Sequence, residues 1–343
     1  MMRLTKLALA AGATLMGMKA APAEVPPSSL NAQLTGDLVP THDPVMIKEG
    51  DTFYVFSTGA DRATGRLIRA RTSRDLIHWT AAGGLFPNLP DWAQKAIPGA
   101  KDMWAPDVHY VNGQYFLYYA VSTFGSNRSA IGLFTIPTLD PKAPNYHWTD
   151  QGLVVMSTEK DDFNAIDPNH FVDRHGKHWL ALGSFWSGIK LFALNPGTGK
   201  LLSPNEKPFS IARRPAPAGA ADPIEAPYLF SRGAYYYLLA SYDYCCKGVN
   251  STYYTVVGRA KDIRGPYLGE DGSSMMDGGG TVILKADLQE KGRFRGPGHA
   301  AWLSDGGTDY IVYHAYDKEH DGAPTLRIAP IRWTADGWPR AIP

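Results

Sequence analysis

Five times along the chain the same arrangement returns: a polar or Gly/Pro start, a short apolar strand, a turn holding glycine, then an aromatic strand. The copies run over 42–57, 105–119, 166–183, 225–239 and 296–313. Each carries the signal of a β-hairpin. Their starts lie roughly 60 to 75 residues apart, room for about four strands per unit. A lone four-stranded sheet cannot bury both faces, but several stacked around an axis bury them against one another. Long periodic helical stretches are missing, and 35 Gly and 26 Pro punctuate the chain throughout. The pattern predicts an all-β, five-bladed β-propeller over residues 35–343, with little or no helix. The single repeat period argues against the runner-up, a pair of β-sandwiches.

The N-terminus reads as an export signal over residues 1–23. Arg3 and Lys6 begin it, Leu7 to Met18 form an apolar run, and Ala21-Pro22-Ala23 supplies a small-x-small cleavage site. The run is too short to anchor in a bilayer. Residues 24–34 read as a linker, and the protein is expected to be secreted, into the medium or the periplasm. A net charge of +1 gives no footprint for nucleic acid or for an acidic membrane. A propeller needs no partner to close its core, so a monomer is expected. Only two cysteines occur, adjacent at Cys245 and Cys246. They exclude a disulfide framework and leave either two buried thiols or a strained bridge lining a pocket. Aromatic residues make up 12% of the chain, which suits a carbohydrate-contacting surface or simply an all-β core.

The repeat gives the acidic residues a common phase. In a propeller the innermost strand of each blade runs along the central channel, so equivalent strand ends face one another. Proline suits the first residue of a strand and pushes the residue before it toward extended geometry. Asp43, Asp167 and Glu225, from three blades, should therefore converge at one mouth of the channel, with Asp107 and His299 from the other two. Carboxylates gathered away from water cannot all ionise, so at least one keeps its proton. A protonated acid beside an ionised base is what inverting glycoside hydrolysis requires. Two other readings of the acids stay open at this point. One is a turn chemistry common to Asp-Pro pairs; the other is a carboxylate cage for a metal, though no dense Asp/Asn loop accompanies them.

The same residues resemble a known family. His42-Asp43-Pro44, Trp104-Ala105-Pro106-Asp107-Val108, Asn164-Ala165-Ile166-Asp167-Pro168, Ile224-Glu225-Ala226-Pro227-Tyr228 and Gly296-Pro297-Gly298-His299 look like glycoside hydrolase family 43. A narrower likeness, to the endo-α-1,5-L-arabinanases, rests on Ser122-Thr123-Phe124-Gly125-Ser126-Asn127 with Ser129-Ala130-Ile131-Gly132, and on Ser184-Phe185-Trp186-Ser187-Gly188. It draws further on Ser241-Tyr242-Asp243-Tyr244-Cys245-Cys246, Val249-Asn250-Ser251-Thr252-Tyr253, Gly258-Arg259 and Gly278-Gly279-Gly280-Thr281. The resemblance runs from about residue 35 to the C-terminus. It implies an inverting enzyme acting on arabinan and arabino-oligosaccharides. Asp43 would be the general base, Glu225 the general acid, and Asp167 the residue that raises and orients the acid. His42, Trp104, Phe124, Gly125, Asn164, Ala165, Ile166, Ser184, Phe185 and Trp186 would line the sugar subsites, with Trp104 and Phe124 offering ring faces. His299 would support a calcium ion largely through water. Members of the family often follow this histidine with Asn, where this chain has Ala300. His78, His147, His175 and His178 read as loop or turn residues. An exo-acting α-L-arabinofuranosidase or β-xylosidase on the same scaffold is the alternative enzyme, and a glycan- or protein-binding propeller is the non-enzymatic one.

Overall fold

The computed structural model describes residues 29–286 and 292–342. The stretch expected as an export signal, 1–23, lies outside the described residues. Five sheets account for nearly all of the regular structure. The first blade holds β1 (Thr35–Gly36), β2 (His42–Glu49), β3 (Thr52–Thr58), β4 (Leu67–Ser73) and β5 (His78–Phe86). The second holds β6 (Trp104–Val111), β7 (Gln114–Val121), β8 (Ser129–Ile136) and β9 (Thr149–Ser157). The third holds β10 (Asn169–Val172), β11 (His178–Leu182), β12 (Ile189–Leu194) and β13 (Phe209–Ala212). The fourth holds β14 (Ile224–Arg232), β15 (Tyr235–Tyr242), β16 (Tyr254–Ala260) and β17 (Thr281–Leu284). The fifth holds β18 (Phe294–Asp305), β19 (Thr308–Asp317), β20 (Ala323–Trp333) and β21 (Pro339–Ala341). Two short helices, α1 (Leu30–Gln33) and α2 (Asp91–Ala96), accompany them. No helix among the described residues is long and apolar enough to cross a membrane.

Within each blade the four strands from the innermost outward pair antiparallel in sequence order, β1 being added parallel at the outer edge of the first, and β2, β6, β10, β14 and β18 are innermost. Each innermost strand touches the next, and β18 meets β2, so the ring is closed. Sheet faces pack on sheet faces as the repeat demands. Tyr118 and Leu133 of the second blade bury against Leu180 and Phe192 of the third, and Leu191 of the third against Leu238 of the fourth. Aromatic pairs fill other seams: Phe86 stacks on Phe134 at 4.0 Å and Phe230 on Trp302 at 3.9 Å. Each such side chain, fully buried, contributes about 1.5–3 kcal/mol.

Among the described residues no strand is exchanged between blades at the ring's closure. The N-terminal segment sews the seam instead. Part of the stretch read as linker is docked: α1 packs on β20, and buried Asn31 donates to Tyr313 Oη (3.1 Å) and accepts from Ile328 N (2.8 Å). Leu326 N then donates to Leu38 O (3.0 Å) and Thr41 N to Pro324 O (2.8 Å), while β1 lies parallel along β5 on the outer edge of the first blade. Arg71, 1% exposed, holds this segment by donating to Asp37 O (2.9 Å) and Pro40 O (2.6 Å).

One local device recurs in all five blades. Asp43, Ala105, Asp167, Ala226 and His299 each have positive φ, between 42° and 56°. In four blades an innermost strand advances three residues while its partner advances two: His42 to Val45, Trp104 to Asp107, Glu225 to Tyr228 and Gly298 to Ala301. In the third blade Ile166 O accepts from Gly183 N, and the ladder resumes at Asn169 with Ala181. Each is a bulge with a left-handed residue at its centre. The expectation that proline would hold the preceding residue extended is therefore corrected. Four of these left-handed residues precede a proline, and Ala300 stands in proline's place in the fifth blade. Such a conformation costs a non-glycine residue about 1–3 kcal/mol and persists only where the surrounding sheet imposes it.

Candidate active site

The bulges decide which side chains meet. The left-handed residues of three blades carry Asp43, Asp167 and His299; Glu225 stands one residue earlier in its blade, at the position held by His42 and Trp104 in theirs. All three carboxylates are buried, between 7% and 8% exposed.

Asp43 is surrounded by donors. Its Oδ1 lies 2.8 Å from His42 Nδ1 and 3.0 Å from His299 Nδ1, and its Oδ2 accepts from Thr58 Oγ1 at 2.6 Å. Thr58 Oγ1 is free to donate there because it accepts from Ala105 N at 2.7 Å. The backbone N of Asp43 donates to His314 Nδ1 (3.1 Å), and His314 stacks under His42 at 4.1 Å. Burial works against the Asp43 anion, yet the charges and hydrogen bonds of His42 and His299 outweigh it and hold the carboxyl well below its usual range. A carboxylate has about four lone-pair sites, and three are occupied here, leaving one on Oδ2 for a further donor such as water.

The other two carboxylates move the opposite way. Burial pushes Asp167 well above its usual value; His299 opposes that, while Glu225 and Asp43 add to it. Its Oδ2 accepts from Ala226 N at 3.1 Å. Glu225 is raised by burial, against the hydrogen bond that Ser184 Oγ donates to its Oε2 at 2.6 Å. His299 loses some proton affinity to burial, but Asp43 and Asp167 more than restore it and bring its pKa up to about 9. The backbone N–H of His299 donates to Ser241 Oγ at 2.9 Å. The mouth thus contains an anion, an imidazolium and two carboxyls that retain protons more readily than usual.

The other expected residues distribute around this centre. Ser184 joins it directly through Glu225. Trp104 is half-buried at the strand level of His42 and Glu225. Phe124 and Gly125 lie on the β7–β8 loop at the mouth end, the phenyl ring 85% exposed. Asn164, Ala165 and Ile166 are buried just before Asp167, and Asn164 Oδ1 has no partner among the described residues. Phe185 and Trp186 are consecutive left-handed residues, half-buried, on the β11–β12 loop.

Three expectations are corrected. Asp107 does not join the mouth. It lies two residues beyond the left-handed position, where it accepts from His170 N (2.6 Å), Asn169 Nδ2 (3.3 Å) and His109 Nε2 (3.0 Å). His78 and His178 are no loop residues: exposed His78 opens β5, and buried His178 opens β11 with its Nδ1 3.1 Å from His170 Nε2. The cysteines form a disulfide between neighbours, on a loop whose Cys246 Sγ comes within 3.8 Å of His42 Nε2, so the bridge alternative holds.

Sequence reasoning missed Thr58, His314 and Tyr316. They sit on second strands, at the ends that face the bulges: Thr58 pairs with His42, His314 with Gly298 and Tyr316 with Arg295. A polar residue ending an aromatic strand was the available signal. Tyr253 explains a glycine of the fifth-blade motif. A Cβ on Gly298 would stand 2.1 Å from Tyr253 Cδ1, so the tyrosine ring occupies the space of the missing side chain.

Comparison with known proteins agrees with this architecture. The family model described as Glycosyl hydrolases family 43 matches residues 39–339. An extracellular endo-α-(1→5)-L-arabinanase of Bacillus subtilis is 42% identical over 338 residues, covering 97% of this chain and 94% of the relative. An extracellular exo-α-(1→5)-L-arabinofuranosidase of Cellvibrio japonicus is 40% identical over 310 residues, covering 88% and 86%. The crystal structure of a Cellvibrio cellulosa α-L-arabinanase complexed with arabinohexaose superposes with a TM-score of 0.82 at 38% identity, over 89% of this chain and 96% of that one. From the ring of bulged blades to the whole length of the match, the chain is a member of glycoside hydrolase family 43.

Proposed function

We propose that this protein is a secreted endo-arabinanase that hydrolyses internal α-1,5-L-arabinofuranosyl bonds with inversion. The observation that carries the reading is the opposite displacement of two carboxyls in one mouth: Asp43 is held ionised while Glu225 is pushed toward its protonated form. Asp43 takes a proton from the attacking water through the free site on Oδ2. Glu225 delivers its proton to the departing sugar oxygen. Asp167 keeps a second carboxyl beside Glu225, oriented by Ala226 N, and so favours the protonated acid. Ser184 fixes the Glu225 rotamer through its hydrogen bond. Phe124 and Trp104 offer ring faces to arabinose, and the backbone around Asn164, with Phe185 and Trp186, forms subsite walls.

Calcium belongs to this reading only as an ion that keeps its water. His299 offers a nitrogen, and its Nδ1 is engaged with Asp43. Among the described residues no three ligand atoms from His, Cys, Asp or Glu converge on His299, whereas calcium takes six to eight oxygens. A calcium ion would be held through water by the carboxylates and by His299 only as a neutral ring, and would supply positive charge there.

An exo mode is the second reading, favoured by the 40% identity to a relative named as an exo enzyme. Product sizes from linear arabinan separate the two: a ladder of oligosaccharides early in the digest supports internal cleavage, and a single short product from the outset overturns it. Glu225→Ala and Asp43→Ala should each abolish turnover of the polymer in a folded protein. Full activity in either removes that residue from its role.

A further inference from the structure

The β15–β16 loop carries the Cys245–Cys246 disulfide, whose Cα atoms are 3.8 Å apart. Cys246 is left-handed, with φ of 66°. In that conformation its backbone N–H donates to Tyr316 Oη at 2.8 Å. Tyr316, 2% exposed, lies with the same oxygen 2.9 Å from His42 Nε2. His42 Nδ1 in turn lies 2.8 Å from Asp43 Oδ1. A peptide N–H can only donate and an ionised carboxylate can only accept, so Tyr316 Oη accepts from Cys246 and His42 Nδ1 carries the proton that faces Asp43. In the neutral imidazole Nε2 is then the acceptor, and the Tyr316 hydroxyl donates to it. Cys246 Sγ, 3.8 Å from Nε2, covers the middle of this chain.

We propose that the Cys245–Cys246 disulfide and Tyr316 are positioning residues for the general base: Cys246 N–H and Tyr316 Oη set the tautomer and orientation of His42, and His42 holds Asp43 Oδ1 so that Oδ2 faces the attacking water. The inference rests on Asp43 being the base. The bridge is not needed to close its loop, because Thr252 N already donates to Tyr244 O at 3.0 Å and Lys247 N to Ser251 Oγ at 3.1 Å. What the bridge adds is the direction of one N–H, and that N–H meets a hydroxyl leading to the base. Both sulfur atoms lie against the same imidazole, within 4.8 Å of a His42 nitrogen.

The test compares oxidised and reduced enzyme. A water-soluble phosphine cleaves the S–S bond: it supplies two electrons and becomes the phosphine oxide, and one water supplies the oxygen and the two protons that make two thiols. Reduction should lower kcat on linear arabinan about ten-fold, in the range found when a partner that orients a working group is lost, with KM nearly unchanged. Reoxidation should restore it. Tyr316→Phe should show the same fall, and reducing that variant should produce no further loss, since both changes cut one chain. Azide, an external nucleophile that needs no base, should speed the reduced enzyme on an aryl arabinofuranoside and leave the oxidised enzyme unaffected. The Cys245→Ser, Cys246→Ser double variant, checked by its Tm, repeats the experiment without a reductant. An unchanged kcat overturns the proposal, as does an equal loss on reducing wild type and Tyr316→Phe. A rise confined to KM also overturns it, because it would make the bridge a sugar contact instead. If Asp43→Ala stays active, the reading of the base fails first; if that variant is dead and the reduced enzyme is not impaired, this inference alone fails.

Discussion

At the mouth of the channel Asp43, Asp167 and Glu225 are buried around a half-buried His299; two residues beyond the left-handed positions of the second and third blades, Asp107 and Asn169 are buried more deeply and quite differently employed. Asp107 is satisfied by the His170 N–H, by Asn169 and by His109, while Asn169 Oδ1 accepts from Leu229 N at 2.7 Å, so the deeper level ties the second, third and fourth blades together. The histidines there, His170 and His178, are kept neutral by burial, and no cation forms between them. At the mouth the bulges bring Asp43, Asp167 and His299 from left-handed positions, and Glu225 from the position before one, into one cluster of ionisable groups. At the deeper level the carboxyl of Asp107 meets fixed N–H donors and serves to join blades. At the mouth burial raises Asp167 and Glu225, with neighbouring carboxyls adding to it, while the donors His42 and His299 hold Asp43 down.

The comparison breaks most sharply by exchanging isosteric amides. Asp43→Asn and Glu225→Gln should each lower kcat by about 10⁴-fold, the upper range for loss of a general acid or base, with Tm scarcely altered. Asp107→Asn should do the reverse: kcat within a few-fold of wild type, but stability lower by about 3 kcal/mol, since an amide N–H₂ would face the His170 N–H in a buried site. Steady-state kinetics and chemical denaturation of the same preparations read both. Equal losses of kcat in all three would erase the distinction.

A smaller effect probes the bulge itself. Gly298→Ala places a methyl where the Tyr253 ring lies, and should cost about 1–3 kcal/mol from overpacking. Because Tyr253 is raised in pKa by burial and then by Glu225 and Asp167, its ring stands close to the acid, and activity should fall together with stability. Stability lost with kcat retained would separate Tyr253 from the site.

The pH profile sharpens the same contrast. Asp43 must be ionised and its pKa is depressed, so activity should rise as pH climbs through a value below the ordinary carboxylate range. Glu225 must be protonated and its pKa is raised, so kcat/KM should fall at a pH above that range, giving a bell. In stability the raised groups, Asp167, Glu225 and His299, contribute fully below their unfolded values; the His299 part is lost as pH rises through about 9. Asp43 contributes above its unfolded value and loses this as pH falls. A Glu225→Gln enzyme should keep the acid limb of stability and lose the alkaline limb of activity. The least effect is expected at the rim: Phe124→Ala removes an 85% exposed ring, and should raise KM a few-fold with kcat and Tm unchanged.

Much of this was legible in the chain. The five hairpins announced five blades because apolar alternation and glycine turns are local properties, and the order of Asp43, Asp167, Glu225 and His299 in the repeat placed them at one mouth. Asp107 was misplaced for a physical reason. Aligning Pro106 with the other prolines puts Ala105, not Asp107, at the left-handed position, and the bulge cannot be inferred from a rule that keeps the residue before proline extended. Thr58, His314 and Tyr316 were missed because the one signal they carry, a polar residue ending an aromatic strand, does not say that the residue faces a bulge until the neighbouring strand is paired.

By itself the sequence determined what depends on near neighbours: strand periods, turns, the number of blades and the residue types offered to the axis. The tertiary structure alone decided the direction of each proton equilibrium, because Asp43 owes its ionised state to His42 beside it and His299 from the fifth blade, and Glu225 owes its raised pKa to the closed, water-poor ring around it. Electrostatic energy depends on distance and exposure, and for residues some 60 to 250 positions apart those quantities exist only once the ring has closed.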